Sequence, residues 1–174
     1  MLIIVSDSSS LILLEKICLL KILTETELNF IIPFEVKKES VDMGKEKNYA
    51  DAFKLENKIN KGTINVKDVK NKSIVNKLME DFNINKGESE AIALFLQESA
   101  DLLATDDRLA INACNALGVP SSGTLAFVLK SFDKKLISKK EALNMIEKAS
   151  KYGRYKPEII FGSINYIEGK KNEK

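Results

Sequence analysis

Short apolar runs that stop at polar residues, each followed by a helical pattern, most constrain how this chain folds. Leu2 to Val5 stops at Ser6-Asp7-Ser8-Ser9-Ser10, and Phe30 to Ile32 stops at Pro33. Leu102-Leu103-Ala104 stops at Thr105-Asp106-Asp107. Such runs are too short for buried helices and read as strands buried on both faces. The stretch "TINVKDV" alternates, as a short edge strand or an extended connection does, and Val119-Pro120 begins another extended piece.

The intervening segments have helical spacing. Leu11 to Leu23 is strongly apolar, with a break near Cys18. Pro33 falls at the first turn of a helix, where its missing N–H does no harm. Lys47 to Asn60 is amphipathic and is followed by Gly62; Ser73 to Phe82 is also helical. After Gly87 comes a helix that is apolar nearly all round from Ala91 to Leu96, as a buried helix is. Another runs from about Asp107 to Leu117, with Gly118 as its cap. A helix capped near Thr124, one opened by the Ser138–Glu141 capping box, and a last one through "KPEIIFGSINYI" complete the chain. No repeat or linker divides it, so residues 1–168 read as one domain and 169–174 as a frayed tail. Strands alternating with helices imply an α/β fold with a mainly parallel sheet and right-handed crossovers.

Composition removes much chemistry. Histidine is absent from the 174 residues. A Ser-His-Asp triad, a Cys-His pair and an imidazole zinc site are therefore excluded. Cys18 and Cys114 lack metal or redox spacing and read as reduced core residues. The net charge of +2 sets up no global field that demands nucleic acid. The N-terminus lacks a basic segment and no run is long enough to span a bilayer, so a cytoplasmic protein with no membrane partner is expected.

Carboxylates remain. In parallel sheets, ligands bind beyond the carboxyl ends of the strands. Asp7 ends the first strand, and Thr105, Asp106 and Asp107 end a later one, so two strands deliver acids to one rim. Each acid also has a plain structural reading. Asp7 and Asp107 stand where helix caps stand, and Glu39 in "EVKKES" reads by itself as a solvated helix face. Lys37, Lys38, Lys45 and Lys47 cluster near Glu39, as a solvated face or as a track for a phosphate backbone.

In order along the chain, "IIVSDSSSLI", "IIPFEVKKE", "KGESEAIAL" and "LLATDDRLA" resemble the four motifs of the PIN-domain nucleases. "GVPSSGTLAFVL" is similar to the ending of one PIN subgroup. The resemblance implies an α/β/α sandwich and a ribonuclease whose carboxylates hold Mg²⁺ or Mn²⁺. By position it assigns Asp7, Glu39, Glu90 and Asp107 as catalytic and metal-binding, with Asp106 as a fifth ligand. Ser8, Ser9 and Thr105 would orient them. Glu88 and Glu90 lie two apart and cannot share a helix face. The pattern places its acid directly before Ala-Ile, which selects Glu90, and leaves Glu88 as a stabilising acid near the helix N-terminus. The resemblance also implies RNA as substrate and extends to toxins paired with a small antitoxin protein. The C-terminal helices offer surface for that partner or for a homodimer.

Other classes fit less well. A PIN fold that binds RNA or protein without cutting would not need the full acid set. A phospho-receiver wants its paired acids after the first strand, and a haloacid-dehalogenase-type phosphatase wants Asp where Ser9 stands.

Overall fold

The computed structural model describes residues 2–170. Five parallel strands form one sheet: β1 (Leu2–Ser6), β2 (Leu28–Pro33), β3 (Ile64–Lys67), β4 (Leu102–Ala104) and β5 (Ser121–Ser122). Their order is β3-β2-β1-β4-β5. β1 is central, pairing Val5 with Ile31 on one side and with Leu103 on the other. The chain runs outward from β1 to β2 and β3, then returns to lay β4 on the opposite flank. The switch point therefore lies between β1 and β4, where open α/β sheets form a crevice.

Alternation along each strand explains the helices on both faces. Ile4, Phe30, Ile32 and Ala104 join one buried apolar cluster, with Leu11, Leu14 and Leu20. Val5, Ile31 and Leu103 join a second, with Ile92, Leu94 and Ala113. Successive side chains point to opposite faces, so short strands that are apolar throughout require cover on both sides. α1 (Ser8–Lys16), α2 (Leu19–Thr24), α5 (Ala50–Asn60) and α9–α11 (Thr124–Asp133, Lys139–Tyr152, Pro157–Gly169) supply residues to the first cluster. α6 (Lys72–Phe82), α7 (Lys86–Glu98) and α8 (Arg108–Leu117) supply the second. The α/β/α sandwich implied by the resemblance is the observed architecture.

Several boundaries move for local reasons. The break between α1 and α2 is at Cys18, whose φ of 65° is left-handed; its side chain is exposed there rather than in the core. Cys114 is buried as expected. Pro33 is the last residue of β2 and the N-cap of the next helix, one place earlier than the first turn. That helix comprises α3 (Phe34–Lys37), a π-helical turn (Lys38–Asp42) and α4 (Met43–Glu46). The helix expected from Lys47 begins at Ala50, because Asn48 takes a left-handed φ of 59° and breaks the run. α11 runs through Gly169, and Lys170 pairs with Asp133. The rest of the expected tail, 171–174, lies outside the described residues. No helix among the described residues is long and apolar enough to cross a membrane.

Leu14 is fully buried between α1 and the sheet. Leu14→Ala should lower the free energy of unfolding by about 2–5 kcal/mol, the range for a Leu cavity in a packed core. Urea unfolding followed by circular dichroism checks this, and a loss below about 1 kcal/mol would contradict the packing.

Candidate active site

β1 ends by delivering Asp7 to the N-cap of α1, and Asp7 is only 1% exposed. Its Oδ1 accepts the Ser10 N–H at 2.8 Å and the Ser9 hydroxyl at 2.9 Å. Its Oδ2 accepts the Thr105 hydroxyl at 2.5 Å. The capping reading and the rim reading are therefore both true of this residue. Burial pushes its pKa up to about 7, against the pull of the Thr105, Ser10 and Ser9 hydrogen bonds; the Asp106 charge adds to the rise.

Thr105, fully buried after β4, joins the two strand ends. Its hydroxyl also accepts the Asp107 N–H at 3.2 Å. Asp107 caps α8, with Oδ1 accepting the Leu109 and Ala110 N–H groups at 2.8 and 3.0 Å. Its other oxygen accepts no hydrogen bond among the described residues, so capping leaves half the carboxylate for a ligand.

Asp106, expected as a fifth ligand, takes its hydrogen bonds from another side. Its carboxylate accepts the Thr124 N–H at 2.9 Å, the Thr124 hydroxyl at 2.5 Å and the Tyr155 hydroxyl. A Cβ on Gly123 would stand 2.7 Å from Asp106 Oδ1, so only glycine lets the start of α9 come down onto it. Burial, with Asp106 beside it, pushes the Tyr155 pKa up and keeps its hydroxyl a donor. Asp106 thus ties β4 to the C-terminal helices. The Gly-Thr pair was visible in the sequence; Tyr155, 49 residues away, carried no local signal.

Glu39 sits on the π-helical turn, where the Ser8 hydroxyl donates to its Oε2 at 2.5 Å. A Cβ on Gly87 would lie 2.6 Å from Oε2 and 2.8 Å from Oε1. Gly87 is therefore a cradle for the Glu39 carboxylate at the start of α7. It went unrecognised because its role depends on a residue distant in sequence.

Glu88 and Glu90 diverge, as their spacing requires, and meet different partners. Glu90 is buried. Its Oε2 accepts the Glu35 N–H at 3.2 Å, and Oε1 lies 3.4 Å from Lys72 Nζ and 4.0 Å from Lys86 Nζ. Those partners hold it at the start of α3 and neutralise it. Glu88 completes a capping box with Asn85. Its pKa is raised by burial and also by the charges of Asp107 and Glu39. Glu88 thus faces the charges of Asp107 and Glu39, whereas Glu90, the acid expected at the site, faces lysines.

A family model, DUF3368, described as a PIN domain, matches residues 3–164. The chain belongs to the PIN-domain family. No curated protein matches the sequence. PIN domains are generally nucleases and typically use divalent metals, so the rim must be judged against such an ion. Its donors are carboxylate and hydroxyl oxygens, the set that suits Mg²⁺ or Mn²⁺. Among the described residues, no three acids stand close enough to enclose a metal directly. Mg²⁺ retains several waters and takes one or two carboxylates directly. The rim of this PIN domain therefore fits a hydrated ion, with further acids around it.

Asp7 holds its proton to about pH 7 in the fold, against an ordinary value of 3.8. Between those values the fold binds more protons than the unfolded chain, so stability falls as pH rises. In chelator, the melting temperature should drop by several degrees more between pH 5 and 8 for wild type than for Asp7→Asn. Parallel slopes in thermal melts of the two proteins would contradict the buried acid.

Proposed function

We propose that this PIN domain is a ribonuclease that hydrolyses phosphodiester bonds with a divalent cation at the β1–β4 rim. The observation that carries this reading is the convergence of Asp7 and Asp107, from adjacent strand ends, beside Glu39 and Glu88. Like charges gathered in a partly buried crevice repel strongly, and a divalent cation relieves that repulsion.

Asp7 and Asp107 would hold the ion, with Glu39 and Glu88 completing its surroundings. Bound there, such an ion would supply Lewis-acid polarisation of the phosphate and a lowered pKa for an attacking water. The chain's own residues do the positioning. Thr105 locks Asp7 against the Asp107 amide, Ser9 and Ser10 fix the other oxygen of Asp7, and Ser8 draws Glu39 toward the same helix end. No histidine base is required. A toxin role beside a small antitoxin protein rests on the family alone, and an adjacent reading frame for such a protein would support it.

Purified full-length protein should cut RNA in Mn²⁺ or Mg²⁺ and stop in chelator. Asp7→Asn should lower the rate by at least about a hundredfold while far-UV circular dichroism stays unchanged. Glu88→Gln should also cost activity, because glutamine keeps the capping box but removes the charge. Glu90→Gln should chiefly lower stability, since it removes the buried charge that faces Lys72 and Lys86. A folded Asp7→Asn protein that cuts like wild type, or a loss confined to Glu90→Gln, would sink this assignment.

Gly87→Ala separates site from scaffold. Alanine favours a helix over glycine by about 1 kcal/mol, yet its methyl group would displace the Glu39 carboxylate. The variant should melt no lower than wild type in chelator, gain less stability from Mn²⁺, and cut more slowly. An unchanged Mn²⁺ titration of the melting temperature would remove Glu39 from the site.

A further inference from the structure

Behind the acid rim the hydrogen bonds close into a ring that helix capping alone does not require. On one side Thr105 joins Asp7 to the end of β4. On the other, the buried Ser10 hydroxyl stands 3.3 Å from the buried Thr124 hydroxyl. Ser10 also gives its N–H to Asp7, and Thr124 gives its hydroxyl to Asp106, the neighbour of both Thr105 and Asp107. Asp7, Ser10, Thr124, Asp106 and Thr105 thus span the β1–β4 seam a second time.

Proton count sets the direction of these bonds. A carboxylate only accepts, so Thr124 gives its single hydroxyl proton to Asp106, and Ser10 must be the donor to Thr124. Bonds aligned in this way strengthen one another. Tyr155 meets the chain from the far side: its hydroxyl donates to Asp106 Oδ1, the oxygen that also accepts the Thr124 N–H. Tyr155 lies between α10 and α11, and a Cβ on Gly153 would stand 2.6 Å from its ring Cε2 and 2.9 Å from Cδ2. Only glycine at the end of α10 lets the ring lie so close against the backbone.

We propose that Tyr155 is a positioning residue for the rim. By holding the Asp106 carboxylate in one orientation it fixes the Thr105–Asp107 turn and, through Thr124 and Ser10, the Asp7 carboxylate. This rests on the reading of the rim as a cation site and assigns the C-terminal segment a part in it. Without the phenol hydroxyl, Asp106 can turn about its Cβ–Cγ bond, and that turn releases Thr124 and then Ser10. Partners that orient metal ligands from behind are typically worth about ten- to a hundredfold in metal affinity.

The test is thermal melting of the full chain across a Mn²⁺ titration that begins in chelator. Tyr155→Phe keeps the ring against Gly153 and removes only the hydroxyl. The Mn²⁺ concentration at which the melting temperature begins to rise should increase about tenfold in this variant. Thr124→Val should weaken the Mn²⁺ response similarly, and Thr124→Ser should restore it. The double variant should weaken it by less than the product of the two, because both act through Asp106. Tyr166→Phe is the matched control. Its hydroxyl donates to Asp133 at 2.9 Å, at the other end of α9, and its loss should leave the Mn²⁺ response unchanged.

A Tyr155→Phe titration that matches wild type would overturn the proposal. So would a drop in melting temperature that is equal in chelator and at every Mn²⁺ concentration, which marks a residue that only supports the fold. A response lost in Asp106→Asn but kept in Tyr155→Phe would also overturn it, and would make Asp106 itself a ligand. A wild-type chain whose Mn²⁺ response depends on Tyr155, yet which never cuts RNA, would uphold the positioning role and overturn the nuclease reading. Mn²⁺-dependent cutting with the same metal requirement in Tyr155→Phe would do the reverse.

Discussion

The contact on which the rest of this structure depends is the hydrogen bond from the Thr105 hydroxyl to the buried Asp7 carboxylate. It crosses the seam between β1 and β4, where the Asp7 N–H also donates to the Ala104 carbonyl at 3.0 Å. A carboxylate buried in an apolar sheet end is costly unless hydrogen-bonded. Here one hydroxyl from the neighbouring strand, one hydroxyl from Ser9 and the Ser10 amide meet that need. The same Thr105 oxygen accepts the Asp107 amide, so the second strand end is set by reference to the first. Two acids far apart in sequence thereby hold one mutual geometry.

Around this seam the remaining acids divide by their partners. Asp106 is surrounded by donors from α9 and Tyr155, which makes it an anchor for the C-terminal helices. Glu90 is matched with Lys72, Lys86 and a helix amide, and stands neutralised at the start of α3. Glu39 and Glu88 differ from Glu90, since their hydrogen bonds come from hydroxyls and amides, as those of Asp106 also do. Lysine partners therefore set Glu90 apart from the other acids. A carboxylate whose neighbours are lysines has less to offer a cation than one whose neighbours are other carboxylates.

The π-helical turn shapes how Glu39 is presented. π-bulges often occur at functional sites because they change the direction of side chains along a helix. The turn at Lys38–Asp42 lies between the strand-end proline and the short α4, and Gly87 leaves room for the carboxylate it carries. Following that turn, the chain enters the loop that exposes Tyr49.

The sequence by itself determined the strand–helix alternation, the parallel sheet, the break at Cys18, the caps at Gly118 and Ser138, and the arrival of Asp7, Thr105 and Asp107 at strand ends. These follow from periodicity and from local cap chemistry, which act over a few residues. The family motifs extended that reading to Glu39, a residue with no local signal of its own. Only the tertiary structure gives Glu88 and Glu90 their different surroundings. Both occupy the start of the same helix, and the choice depends on what faces each side: Glu39 and Asp107 on one, Glu35, Lys72 and Lys86 on the other. The same is true of Asp106, which adjoins Asp107 in sequence but was drawn away by Thr124 and Tyr155, and of Gly87, which matters only because a distant carboxylate rests against it. A residue's spacing fixes the direction in which it leaves its helix; the elements that pack there decide what it meets.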